Sequence, residues 1–181
     1  MIYVVDLDDT LISSTKLNND AYNFALEQYN FPRLLTNDRI TRENLNFINK
    51  HILNAIINMK QRYFCQAWLP YRVVINNLLI TKLKMNKNNC FLWTKADKSR
   101  ADKIIELCNL DLYFRNIIYD DKTNFETSMN KLQLITNSNQ FIIYENNKQF
   151  FEGQNCKIVD SIKDNLFDIN GYLVNVPQKV G

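Results

Sequence analysis

The sequence predicts an α/β protein, a doubly wound, Rossmann-like parallel sheet with a small helical cap inserted after the first strand. The chain opens on a short apolar run rich in β-branched residues, which is how a fully buried parallel strand reads. From residue 69 onward, short apolar runs alternate with helical periodicities across brief connections. Residues 13–68 carry helical spacing with no strand signal. The expected core is therefore 1–12 with 69–181, and the expected insertion is 13–68.

The first strand is Ile2, Tyr3, Val4 and Val5, halted by acids at 6, 8 and 9. Within the insertion, residues 20–29 place Ala21, Phe24, Ala25 and Gln28 at helical spacing. A longer helix is expected to begin at Thr41 as its N-cap, with Leu45, Ile48, Ile52, Ala55, Ile56 and Met59 recurring at threes and fours. Pro70 then starts a helix over 71–83, with Val74, Leu78, Ile75 and Leu79 as its apolar face; proline is tolerated in a first turn. Cys90, Phe91, Leu92 and Trp93 make a buried strand ending at Thr94. Ser99 caps a helix over 99–110 that turns Ala101, Ile104, Ile105 and Leu107 inward. A strand at 116–119 ends at Asp120, Asp121 and Lys122, a helix occupies 123–135, and a strand at 140–144 ends at Glu145, Asn146 and Asn147. Residues 156–159 read as a last strand and 172–174 as an edge piece.

Composition narrows the function classes. A chain of 181 residues, 46% hydrophobic and 23% charged, is long enough for one core plus an insertion. No apolar run approaches the roughly 20 residues that span a bilayer, so no membrane partner is expected. The N-terminus has no basic region before its apolar stretch and does not read as a secretory signal. The 4 cysteines, at 65, 90, 108 and 156, lack paired short spacing, which argues against a zinc cluster or a disulfide framework. A reducing, cytoplasmic location is the expectation. The single histidine excludes any mechanism needing two. A net charge of +3 is too small to imply a nucleic-acid partner, so nucleic acid enters only as a substrate. With 3 glycines, Gly-rich phosphate loops are absent, while the 27 asparagines scatter over polar faces and turns, a bias that fits AT-rich coding.

In a doubly wound sheet, ligands bind beyond the carboxyl ends of the strands. The residues there are Asp6 and Asp8, Thr94, the 120–122 stretch, and Glu145 with Asn146 and Asn147. Asp6 ends a buried strand, so its carboxylate is held at the sheet's mouth, and Asp8 can reach the same space as the chain turns. A carboxylate can attack phosphorus to form an aspartyl-phosphate. A second carboxyl group can protonate the leaving oxygen and then activate water. Two acids so close call for a divalent cation, and hard oxygen ligands suit Mg2+. The bland alternative is a capped turn in which Asp8, Asp9 and Thr10 merely end the strand.

The run of Ile2 to Val5 with Asp6, Leu7, Asp8, Asp9 and Thr10 after it resembles the first motif of the haloacid dehalogenase superfamily of phosphohydrolases, a hydrophobic strand leading into DxDx[TV]. The resemblance implies that Asp6 is the nucleophile, Asp8 the general acid/base, and Thr10 a loop-ordering residue at the substrate. Phe91, Leu92, Trp93 and Thr94 resemble the second motif, Lys122 the lysine of the third, and Glu145 with Asn146 stands where the family has an acidic pair. By this resemblance, Thr94 and Lys95 contact the phosphoryl group, with Lys95 and Lys98 as rivals of Lys122 for charge neutralisation. Asp6, Asp8, Glu145 and Asn146 would hold the magnesium. Replacing an aspartate pair by Glu145 and Asn146 lengthens one arm and removes one charge. Asp120 and Asp121 are the alternative acidic pair.

The expected function is magnesium-dependent hydrolysis of a phosphomonoester, with a phosphorylated small molecule favoured because a cap at this point would close over the site and exclude water. The alternatives are a phosphatase acting on a macromolecular phosphate, whether a nucleic-acid end or a phosphoprotein, and a weakened, regulatory binding protein on the same fold. His51 reads as helix surface or core. The basic residues Arg33, Arg39, Arg42, Lys50, Lys60 and Arg62 read as a solvated face that could steer an anion.

Overall fold

Strand β1 (Ile2–Val5) is nearly all buried, as a run of β-branched residues in mid-sheet requires. The computed structural model describes residues 1–66, 73–163 and 168–177. The chain forms two units, Met1–Ile12 with Ile75–Gly181, and Ser13–Val74. It passes between them through two short paired strands, β2 (Ile12–Ser13) and β3 (Val74–Ile75).

The inserted unit is built on α1 (Thr15–Gln28) and α2 (Lys50–Gln66). Tyr22, Ala25 and Leu26 of α1 join Ile40, Leu45, Ile48 and Ile56 in a core of their own. Helix α1 starts five residues before the apolar spacing predicts, because its first turns bury Asn18 and Asn19 alongside Leu17. Those amides hold the segment after the helix much as a strand would. Asn19 accepts from the Ile40 N–H (2.8 Å) and donates to the Asp38 carbonyl (2.7 Å). Asn23 accepts from the Leu34 N–H (2.8 Å) and donates to its carbonyl (3.2 Å). Thr41 does not cap the long helix. Its N–H and hydroxyl both bond the Asn44 carboxamide oxygen in a local turn, and α2 begins only at Lys50. Short polar side chains at 44, 46 and 49 offer the backbone alternatives to helix across this stretch.

In the other unit, β1 lies between β4 (Cys90–Thr94) and β6 (Gln140–Glu145), parallel to both, with Tyr3 opposite Cys90 and Val5 opposite Tyr144. Strand β5 (Asn116–Tyr119) adds in parallel outside β4. Beyond β6 the sheet turns antiparallel, through β7 (Cys156–Lys163) and β8 (Asp168–Asn175), in the order β5-β4-β1-β6-β8-β7. The expected edge piece at 172–174 is therefore an inner strand, and β7 is the edge. Only four residues separate β7 from β8, too few for a parallel crossover, so the pair closes antiparallel.

Three helices complete this unit. Helix α3 (Asn77–Met85) is preceded by β3, not started by Pro70, which lies outside the described residues. Asn76 caps it by accepting from the Leu79 N–H, and Leu79, Ile80 and Leu83 face inward while Val74 and Leu78 are exposed. Helix α4 (Lys98–Leu107) is capped by Asp97, two residues before the expected Ser99. Helix α5 (Phe125–Thr136) is capped by Asn124. Val4, Phe91, Trp93 and Ile143 of the sheet pack with Met129 and Leu132 of α5 and with Phe151 and Tyr172. Cys90, Cys108 and Cys156 are free thiols. Among the described residues no helix is long and apolar enough to cross a membrane.

Candidate active site

The four parallel strands end on one side of the sheet, and the residues just beyond those ends decide the chemistry. The ladder continues one residue past β1, where the Asp6 N–H donates to the Tyr144 carbonyl (3.0 Å) and fixes the Asp6 backbone. The chain then makes a tight loop. The Leu11 and Ile12 N–H groups both donate to the Leu7 carbonyl, and Asp9 takes a left-handed backbone, φ 59°. Thr10, fully buried, joins this loop to the one after β6: its hydroxyl oxygen accepts from the Asn146 N–H (3.1 Å) and its proton points at the Asn146 carboxamide oxygen (3.4 Å). Thr10 thus sits as a loop tie.

Asp6, Lys122 and Glu145 meet although they stand at the ends of three different strands. The Lys122 ammonium donates to Asp6 Oδ1 (2.5 Å) and to Glu145 Oε2 (2.7 Å). Glu145 Oε1 accepts from the Asn147 N–H (3.1 Å), so both its oxygens are engaged. All three side chains are less than a tenth exposed. Lys122 reaches this position from the loop before α5, with a left-handed backbone (φ 51°), and its ammonium also sits 4.9 Å from the Trp93 ring centre. A lysine in that backbone region is sterically disfavoured, and such residues persist where the surroundings fix them.

Burial sets the electrostatics. Desolvation, then the nearby Glu145 charge, push the Asp6 carboxyl up to about 7 against the pull of Lys122. Burial draws the Lys122 ammonium down, yet Asp6 and Glu145 outweigh it and hold its pKa above the ordinary lysine value. Two acids around one lysine leave the pocket short of positive charge.

Asp8 has an ion-pair partner of its own. Arg100 grips it at both oxygens, Nη1 to Oδ1 at 3.0 Å and Nη2 to Oδ2. Arg100 is not among the residues that the sequence points to. A signal for it exists, since the arginine lies on the same helical face as Ala101 and Ile104, where a charge is out of place unless it is paired. Thr94 is buried at the end of β4, its hydroxyl oxygen accepting from the Ala96 N–H (3.1 Å). Lys95 is exposed and stays out of the Lys122 cluster. Asp120 pairs with Lys131 (3.1 Å) at the end of the outer strand β5, and Asp121 is exposed, so the acid that shares Lys122 with Asp6 is Glu145. His51 is on the exposed surface of α2.

The donor set suits a hard divalent cation in part. Asp6 and Glu145 supply buried carboxylate oxygens, and burial, followed by the Glu145 charge, raises the Asp6 pKa; the Asn146 carboxamide oxygen is approached by the Thr10 hydroxyl. Among the described residues no three acidic, histidine or cysteine side chains gather as a ready cluster, and Asp8 is paired with Arg100. The chemistry of the set fits magnesium through Asp6 and Glu145.

No family model matches the sequence, and no curated protein matches it. Solved structures do. A haloacid dehalogenase-like family hydrolase from Streptococcus pneumoniae superposes with TM-score 0.63 at 15% identity, covering 78% of this chain and 73% of its own. A predicted phosphoglycolate phosphatase from Haemophilus somnus gives TM-score 0.63 at 13% identity over 76% of this chain and 72% of that one. A family IA, variant 3 hydrolase of the same superfamily from Entamoeba histolytica gives 0.58 at 16% identity over 74% and 69%. With a parallel sheet ordered around β1, an insertion directly after it and these structural neighbours, the chain has the haloacid dehalogenase fold.

Proposed function

We propose that the protein is a magnesium-dependent phosphohydrolase that cleaves a phosphomonoester through an aspartyl-phosphate on Asp6. The observation that carries this reading is the convergence of Asp6, Lys122 and Glu145 from three separate strand ends, with Asp8 two residues from the nucleophile. Asp6 is fixed by its backbone bond to β6 and presents a carboxylate oxygen at the open ends of the strands. That oxygen attacks phosphorus as the bond to the leaving oxygen breaks, and Asp8 supplies the leaving oxygen with a proton. Asp8 then takes a proton from the water that attacks the phosphoryl group and frees Asp6. Lys122 offsets the negative charge on Asp6 and on the phosphoryl oxygens, and Thr94 has a hydroxyl proton left to donate to one of them. Bound magnesium would be held by Asp6 and Glu145, with Asn146 as an uncharged third ligand, and would supply charge neutralisation for a phosphoryl group.

A phosphorylated small molecule is the favoured substrate class. Its support is that a folded unit with its own core, rather than a short loop, interrupts the chain after Ile12. The test is release of inorganic phosphate from 4-nitrophenyl phosphate and from a set of phosphorylated metabolites and oligonucleotides, with magnesium and with a chelator. Magnesium-dependent release that Asp6→Asn abolishes supports the reading; no release from any member contradicts it.

A further inference from the structure

The Arg100–Asp8 pair is costly to build. Arg100 is 5% exposed and sits in the first turn of α4, where the helix macrodipole disfavours a cation. Burying a charged pair rarely adds net stability over an apolar packing of the same shape. The geometry is nevertheless specific. A guanidinium fork meets both carboxylate oxygens, which a lysine cannot do. The two residues are 92 positions apart, so the contact ties the loop after β1 to the helix after β4. The arginine's own placement is built in as well. Asp97 caps α4 by accepting from the Arg100 N–H (3.2 Å), which sets the backbone from which the fork extends.

We propose that Arg100 is a positioning residue for Asp8, fixing the plane and direction of its carboxyl group, and that it thereby governs how well the site expels a basic leaving oxygen. This rests on the reading of Asp8 as the acid–base residue. With its plane fixed by the fork, the Asp8 carboxyl passes its proton to the leaving oxygen while the electron pair of the breaking P–O bond goes to that oxygen. The reverse proton movement, from water to Asp8, uses the same orientation of the carboxyl group. A carboxyl group free to rotate would present it only part of the time.

The experiment compares 4-nitrophenyl phosphate with unsubstituted phenyl phosphate, nearly the same in shape but different in how much the leaving oxygen needs a proton. Asp8→Asn should lose far more on phenyl phosphate than on 4-nitrophenyl phosphate. Arg100→Lys keeps the charge and removes the fork. It should lower kcat on phenyl phosphate by about 10²-fold, within the range that general acid catalysis supplies, and lower it much less on 4-nitrophenyl phosphate, with KM little changed. In the Asp8→Asn background, Arg100→Lys should add no selective loss. A parallel loss on both substrates, as a merely structural ion pair would give, overturns the proposal, and so does unchanged kcat on both. Should Arg100→Lys lose its cooperative thermal transition, Asp97→Ala replaces it: this exposed cap can be removed without emptying the pair, and a selective loss of the same sign but smaller size is expected. An unchanged ratio there overturns the proposal. If the wild-type chain releases no phosphate from either ester, the phosphohydrolase reading itself fails, and the role given to Arg100 falls with it. A wild-type enzyme that is active and sensitive to Asp8→Asn isolates the role of Arg100.

Discussion

Asp6, Lys122 and Glu145 form one electrostatic unit, and altering any member should read out on the others. Asp6→Asn keeps the shape and removes the nucleophile, so phosphate release should fall by on the order of 10⁴-fold or more while the fold persists. Circular dichroism alongside the assay checks both halves of that statement. The same substitution has an opposite effect on stability. The folded-state pKa of Asp6 is raised from its ordinary 3.8 to about 7, so the folded chain binds this proton more tightly than the unfolded chain does. Its contribution to stability is complete below the lower value and is lost as pH rises through the upper one. In chelator, the melting temperature of Asp6→Asn minus that of wild type should therefore grow by several degrees from about pH 4 to about pH 8. A difference that stays flat with pH would show that the Asp6 charge is not held under strain. At Glu145, Glu145→Gln should raise the magnesium concentration giving half-maximal activity, because a hard cation exchanges a formal charge for an amide dipole. Glu145→Asp should be tolerated. Magnesium titrations that leave both variants like wild type would move the acidic ligand elsewhere, with Asp120 and Asp121 the next residues to vary.

At the level of elements, asparagine takes positions that glycine holds in most proteins. Asn30, Asn109 and Asn137 each come after a helix in the left-handed backbone region, the position at which glycine usually ends helices. Asn76 and Asn124 cap two helix starts, and Asn19 and Asn23 replace buried aliphatics on α1. Asn137→Gly should accordingly be close to neutral in thermal unfolding, and Asn137→Ala should cost about 1 kcal/mol. Alanine has neither the absent Cβ of glycine nor the polar side chain of asparagine that make φ 51° acceptable. Equal stability of the two variants would contradict this.

The same residues explain what is legible in the sequence. The strands β1, β4, β5 and β6 can be read because each is an apolar run ended by polar residues, and Asp6, Thr94, Lys122 and Glu145 stand out by lying at or just beyond those ends. Helix α1 is longer than its apolar spacing because polar amides fill inward positions. Thr41 looks like a cap in the sequence but is not one, because Asn44 bonds its backbone first. The antiparallel turn of the sheet at β8 depends on a pairing partner, β6, nearly 30 residues earlier, and no local pattern encodes it. Arg100 is hidden for a different reason: a charged residue on an apolar face looks like a flaw in a helix until its partner, 92 residues away, is in view.

Over the whole molecule, charge is divided unevenly. Residues 13–74 hold eight lysines and arginines against four acids, so the inserted unit is basic and the remainder slightly acidic. A basic unit raises the local concentration of anions, and this attraction is screened by salt over roughly a Debye length, about 10 Å at 0.1 M. For a phosphomonoester substrate, kcat/KM should fall as ionic strength rises while kcat stays nearly constant. A salt-independent kcat/KM would remove any steering role from Arg33, Arg39, Arg42 and their neighbours.

The proposed mechanism stands on one step, the covalent phosphorylation of Asp6 during turnover. Mass spectrometry of wild-type protein quenched in acid during steady-state hydrolysis of 4-nitrophenyl phosphate tests it most directly. The expected result is a phosphoryl adduct, stable in acid and lost in alkali, on the peptide containing Asp6 and missing from Asp6→Asn. Phosphate release with no adduct on Asp6, or with the phosphoryl group on another residue, would contradict it.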